Sequence, residues 1–173
     1  MKFINLVDMS SPLHNVVIYF QGIYNLAVPA LTEVMKEILT AYYGCAGLAH
    51  PRTVNRLTIS HVALNGDVIF DAGSHPTSHS ASNLVLQFSG LGVLGSELME
   101  KVFSLFPLKD VREFAVNGLD LIEDKWRRML RKVKRLSHLQ LNGLCVGSVL
   151  DALDSKDPGV YKEAIKIASN HLH

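Results

Sequence analysis

Cysteine is scarce. Cys45 and Cys145 stand 100 residues apart with no C-x-x-C pair, so neither a disulfide framework nor a zinc knuckle can be built from them, and both are expected as small buried hydrophobes. An excess of one charge is missing too: 17 Lys and Arg face 16 Asp and Glu, a formal net charge of +1. That balance gives no global pull toward nucleic acid or an anionic membrane. No run approaches the ~18 apolar residues of a membrane span, and Met1-Lys2-Phe3 does not begin a basic start followed by a long apolar run. The expectation is therefore an intracellular protein, cytoplasmic or nuclear. What is abundant is apolar side chain, 48% of 173 residues against 19% charged. That composition excludes intrinsic disorder and suits one domain with a real core.

The apolar residues repeat. Val111-x-x-Phe114-x-Val116-x-Gly118-Leu119 and Leu136-x-x-Leu139-x-Leu141-x-Gly143-Leu144 coincide at every apolar position and at the Asn-Gly pair. Leu84 to Leu91 ends the same way at Gly90, and Val54-x-x-Leu57-x-Ile59-x-His61-Val62 matches with His61 in the glycine position. The intervals are 29, 28 and 25 residues, a repeat with variable loops. In each copy an alternating stretch predicts a strand buried on one side. After three of the turns an apolar stripe at helical spacing follows: Leu98, Val102 and Leu105 with Phe103 and Phe106; Trp126, Met129, Leu130 and Val133 after the acidic Glu123-Asp124; and Val146, Val149, Leu150 and Leu153.

The N-terminal part reads as the same unit with a longer connection. Asn15 to Phe20 is a strand candidate, and Pro29 to Tyr43 a helix with Leu31, Val34, Ile38 and Tyr42 on one face, Pro29 suiting its first turn. Asn65-Gly66 before Asp67 to Phe70 predicts a hairpin. Gly73 to Ser82 is small, polar and turn-rich, the expected mobile loop. Pro158 to Leu172 reads as a closing helix with Val160, Ala164, Ile167 and Ala168 along one side. The chain is thus expected as a single repeat domain over 1–173, with approximate units 13–53, 54–83, 84–110, 111–135 and 136–157, and 158–173 as a C-terminal helix or cap.

These units, above all VREFAVNGL followed by Trp126-x-x-Met129-Leu130 and LSHLQLNGL followed by Val149-Leu150-x-Ala152-Leu153, resemble leucine-rich repeats. More narrowly, they resemble the repeat region of the F-box-type proteins of mushroom-forming fungi. The likeness covers roughly 54–153. It implies an α/β fold, a leucine-rich-repeat-like solenoid with a parallel strand face and a helical outer face, and a role in recognising substrates for a ubiquitin ligase. Leu119 and Leu144 stand where the usual repeat carries Asn or Cys, and no F-box-like helical motif is visible in residues 1 to 53, so the resemblance is to the recognition end.

A repeat solenoid lends its strand face to binding. The outward strand positions are Thr58 and Ser60, Gln87 and Ser89, Ala115 and Asn117, and Gln140 and Asn142: small or amide groups that can hydrogen-bond a partner without demanding charge. Other chemistries find less support. Asp71, His75 and His79 have a spacing that would share a helix face, but Gly73 and Pro76 oppose that helix and no Glu lies between the histidines. No G-x-S-x-G is present, and Ser96 reads as a helix N-cap before Glu97. Gly90-x-Gly92-x-x-Gly95 matches a dinucleotide turn, but the next strand ends without the acidic residue such a site wants.

Lys125 to Arg135 holds seven basic residues in eleven. On a helix, Arg127, Arg128, Arg131, Lys134 and Arg135 would spread outward, a solvated face or a contact for an acidic partner or phosphate. The expectation is a non-enzymatic protein-interaction module with no cofactor and no metal, taking another protein as partner, as a monomer or within a larger complex. Nucleic acid and membrane are not expected as partners. A nucleotide-using enzyme built on Gly90 to Gly95 and a nucleic-acid binder using the basic helix are the alternatives.

Overall fold

A computed structural model of the chain describes residues 15–21, 28–44, 52–62, 66–74, 83–89, 95–119, 121–143, 145–154 and 166–170. Along the chain it contains β1 (Asn15–Phe20), α1 (Val28–Tyr43), β2 (Arg56–Val62), β3 (Asp67–Gly73), β4 (Asn83–Phe88) and α2 (Gly95–Leu105). A 3-10 turn (Leu108–Asp110) follows, then β5 (Glu113–Asn117), α3 (Glu123–Leu130), β6 (His138–Asn142), α4 (Cys145–Asp154) and β7 (Lys166–Asn170). The fold is mixed α/β: one seven-stranded sheet in the order β1-β4-β3-β2-β5-β6-β7, with α1 to α4 packed side by side in chain order.

Strand alternation decides which face the helices cover. Val16, Ile18 and Phe20, Leu57 and Ile59, Val68, Phe70 and Ala72, Leu84, Leu86 and Phe88, Phe114 and Val116, and Leu139 and Leu141 are all buried. They join the inward stripes of the helices in one core. Val54, Val111 and Leu136, which lead three of the sequence repeats, are buried as well. The intervening strand residues project from the opposite face, as a period of two requires.

The repeat register holds in space for β2, β5 and β6. Leu57, Phe114 and Leu139 are aligned across the parallel ladders, as are Ile59, Val116 and Leu141. The backbone bonds that enter the strands also repeat. The carbonyl of Asn55 accepts the N–H groups of Arg112 and Glu113, and that of Arg112 accepts those of Ser137 and His138, all at 2.8 to 3.0 Å. At the far end the Gly118 N–H donates to the Asn142 carbonyl at 2.9 Å. Gly118 has φ +66, and a Cβ there would sit 2.9 Å from the His61 carbonyl oxygen. The Asn-Gly echo in the sequence is therefore a pair of stacked turns in which a side chain at position 118 would be both strained and blocked.

Several expectations need correction. The sheet is not parallel throughout, because β3 runs antiparallel between β2 and β4. The stretch after β2 is a hairpin return, as Asn65-Gly66 predicts, so among the described residues that unit has a second strand and no helix. The β4 repeat is also displaced: Leu86 meets Phe70 and Phe70 meets Ile59, two residues away from the sequence alignment, which set Phe88 beside Ile59. A slip of two keeps each side chain on its own face, and with β3 interposed nothing ties β4 to the register of β2. The expected closing helix is contradicted at 166–170, where β7 pairs parallel with β6 and sets Ile167 beside Leu139. The open edge of β6 overrides a weak helical periodicity there.

Two helix faces also differ from the reading. Val34 is exposed, because α1 buries Leu31, Met35, Ile38, Leu39 and Tyr42 instead. On α4 Leu150 is exposed, and Ala152 takes the inward place beside Cys145, Val146, Val149 and Leu153. Cys145 is buried as expected, whereas Cys45 lies outside the described residues.

Candidate interaction surface

The face of the sheet opposite the helices carries cross-strand rows. One runs Tyr19, Gln87, Ile69, Ser60, Asn117, Asn142; the next runs Val17, Val85, Asp71, Thr58, Ala115, Gln140. All the strand residues proposed from sequence as partner-binding therefore project from one surface. Ser89 follows the end of β4, where its N–H donates to the Phe20 carbonyl at 3.0 Å.

Their chemistry divides them. Asn142 Nδ2 donates to Asn117 Oδ1 at 2.6 Å, and Asn117 Nδ2 donates to Ser60 Oγ at 3.0 Å. This side-chain ladder crosses three strands, so the Asn117 amide, the Asn142 Nδ2 group and the Ser60 hydroxyl are engaged with one another. Gln87 likewise donates through Nε2 to Oδ2 of the buried Asp67 at 2.9 Å. Neutralising part of a buried carboxylate's hydrogen-bond demand is a structural task. Gln140 is exposed, and Thr58 and Ala115 are half-buried beside it. The second row, at its β2, β5 and β6 end, is thus the one most open to a partner. Asn142 Oδ1 and Asp71 Oδ1 are buried acceptors without a hydrogen-bond partner among the described residues.

The basic segment is shorter as a helix than its charge run suggests. α3 ends at Leu130, and the N–H groups of Lys132 and Val133 reach back three residues to Met129 and Leu130, the tightening common at a helix end. Val133 is nonetheless buried with Trp126, Met129 and Leu130. Its cations are largely engaged with the preceding unit. Arg128 makes a two-point contact with Glu100 at 2.6 and 3.0 Å, Lys125 donates to Ser96 Oγ at 2.7 Å, Lys132 donates to Ser104, and Arg135 meets Asp110 at 3.1 Å. Arg127 pairs with Glu123 and Asp124 on its own helix. Arg131 and Lys134 are exposed. The Arg128 guanidinium holds the Glu100 carboxyl below its usual range, burial opposing it. Ser96 is not the N-cap it was expected to be: it lies inside α2, which starts at Gly95, and its hydroxyl receives Lys125.

Two contacts were missed from sequence. Arg52 is buried, lies with its guanidinium 4.3 Å from the Tyr42 ring centroid, and donates to the Tyr42 carbonyl at 2.8 Å. It thereby satisfies an end carbonyl of α1 with a cation, where the helix dipole favours one. The signal was a lone Arg between a helix and a strand. Cys145 offers its thiol to the Val116 carbonyl of the preceding unit at 3.9 Å and to Asn142 at 3.5 Å. That is a bridge to the neighbouring unit one position after Leu144.

His61 approaches the Gly118 carbonyl through Nδ1 at 3.3 Å, a turn contact. His75, His79 and the glycines at 90 and 92 lie outside the described residues. Among the described residues no three His, Cys, Asp or Glu side chains are grouped to hold a metal ion, and no helix is long and apolar enough to cross a membrane. No family model, no curated protein and no solved structure matches this chain.

Proposed function

We propose that the chain is a non-enzymatic interaction module, a short leucine-rich-repeat-like solenoid with an inserted hairpin, whose sheet face opposite the helices recognises another protein. One observation carries this reading: all the helices share one face of the sheet, and the opposite face is covered by no element among the described residues. A partner there meets Thr58, Ala115 and Gln140 in the second row, flanked by the amide ladder of Ser60, Asn117 and Asn142. The ladder presents a polar strip that needs no reordering on binding, which lowers the entropic cost of recognition. The resemblance to F-box-type repeat proteins adds a more specific proposal, that the partner is a substrate delivered to a ubiquitin ligase.

The test is capture of interacting proteins by the intact chain and by Thr58→Arg and Gln140→Arg variants. Both substitutions point away from the core, so melting temperature should hold while a specific partner is lost. Capture unchanged by both would remove the sheet face from consideration. Co-precipitation of a cullin adaptor with the chain in cells tests the ligase proposal separately.

A further inference from the structure

Five large hydrophobic side chains stand exposed among the described residues: Val17 (49%), Tyr19 (58%), Val34 (39%), Ile122 (66%) and Leu150 (40%). Three of them belong to β1 and α1. β1 is the terminal strand of the sheet, and no strand pairs with its outer edge among the described residues. Edge strands are ordinarily guarded by a proline, a charge, a bulge or brevity. Asn15–Phe20, NVVIYF, has six residues, no proline and no charge, and it pairs without interruption with β4 from Asn15 to Phe20. Among the described residues this leaves a row of backbone donors and acceptors free of protein partners, a template that another strand fits in sequence.

We infer that β1 pairs antiparallel with β1 of a second copy of this chain about a two-fold axis perpendicular to the sheet, joining the two sheets into one. The alternation of β1 restricts the register. Val16, Ile18 and Phe20 lie under the helices while Val17 and Tyr19 are on the open face, so the second copy must place its helices on the same side. Setting Ile18 opposite Ile18 of the second copy does this and brings Val17 opposite its Tyr19. Aromatic against β-branched is a stabilising cross-strand pair, and both side chains lose exposure together. No charge meets a like charge at any position, since β1 has none. A two-fold axis lying in the sheet would instead leave the helices of the two copies on opposite sides, with buried residues of one strand beside exposed residues of the other. The open face bearing Thr58 and Gln140 stays clear of this contact, so the pairing is independent of partner binding there. It would display two copies of that face on one side of the joined sheet.

The experiment is sedimentation equilibrium of the intact chain over a range of micromolar concentrations. The expected result is a species of twice the 19.1 kDa chain mass, reduced to the single-chain mass in the V17K/Y19K double variant, with its circular dichroism spectrum unchanged and its melting temperature no lower than that of the wild-type chain diluted until it dissociates. Mild oxidation supplies a check on register: the V17C/Y19C variant should form a disulfide-linked dimer, and V17C alone should not. A single-chain mass at every concentration, a dimer that survives V17K/Y19K, or open-ended growth beyond the dimer would each overturn the proposal. Capture of an extended peptide from another protein on β1, with the chain itself monomeric, would replace the second copy as occupant and likewise overturn it.

Discussion

The two halves of the sheet are built by different rules and share β2 as their seam. From β2 toward β7 every ladder is parallel, the strand order follows the chain through β5, β6 and β7, and each unit hands the next the same hydrogen bonds: Asn55 to Arg112, Arg112 to Ser137. From β2 toward β1 the chain doubles back through β3 and β4 and meets the first strand last. There the packing is aromatic. Phe88 stacks on Phe20 at 4.7 Å between ring centroids, and Phe70 lies between Phe88 and Phe106 at 5.9 and 5.8 Å. A repeating half can rely on nearest-neighbour contacts between successive units, whereas the half reached through β3 and β4 depends on long-range packing that closes only when β1, α1 and the hairpin are all in place.

The substitution with the largest expected effect sharpens this difference in the repeating half. Trp126 is fully buried, and its indole N–H has no hydrogen-bond partner among the described residues. Trp126→Ala should cost about 3–5 kcal/mol, read as a fall in the denaturation midpoint. Because the repeats depend on neighbours, amide exchange should rise most in α3, β5 and β6 and least in β1 and β4. A uniform rise over the whole sheet would show that the halves are not separable.

Next comes the stacked turn. Gly118→Ala places a side chain at φ +66 and 2.9 Å from the His61 carbonyl oxygen, and about 2 kcal/mol should be lost in chemical denaturation. The cost falls on the seam itself, since His61 belongs to β2.

The ladder gives a smaller and more selective effect. Asn142→Asp removes the donor that serves Asn117 Oδ1 and sets a carboxylate against that carbonyl oxygen, so a loss of about 1–2 kcal/mol is expected. Asn117→Asp should cost less. Its carboxylate can still accept from Asn142 Nδ2, and the Ser60 hydroxyl can turn from acceptor to donor. Equal losses for the two would contradict the direction of the ladder.

The smallest effect concerns Glu100 and Arg128. With Arg128 as partner, the Glu100 carboxyl titrates below its ordinary range. The pair therefore stabilises the fold above that range, and the contribution disappears as pH falls through the lowered value. Glu100→Gln should flatten the acid limb of the melting-temperature profile while leaving the rest near wild type, as expected of a solvent-facing pair.

The parts of this architecture that were legible in the sequence are those with local or directly echoed signals. Leu57, Phe114 and Leu139 could be aligned because β2, β5 and β6 are direct neighbours in one register, and the hairpin could be read from Asn65-Gly66. The position of β4 could not, because β3 separates it from β2 and a two-residue slip preserves the apolar pattern. The placement of β7 turned on an unfilled edge of β6, which no periodicity within 158–172 reports. At the candidate surface, the outward residues followed from alternation alone. That Asn117 and Asn142 bond to each other, and that the cations of 125–135 reach residues such as Glu100 and Asp110 in the preceding unit, depends on which units are adjacent, and composition carries no record of that.

The most direct test of an accessible sheet face opposite the helices is thiol labelling of single cysteines placed along β6, Gln140→Cys against Leu139→Cys, in a background with Cys45 and Cys145 replaced by alanine. Labelling at 140 should be fast in the free chain and slowed when a captured partner is present, and labelling at 139 should occur only on global unfolding. Equal protection of the two positions in the free chain would mean that the face is already covered, and would contradict it.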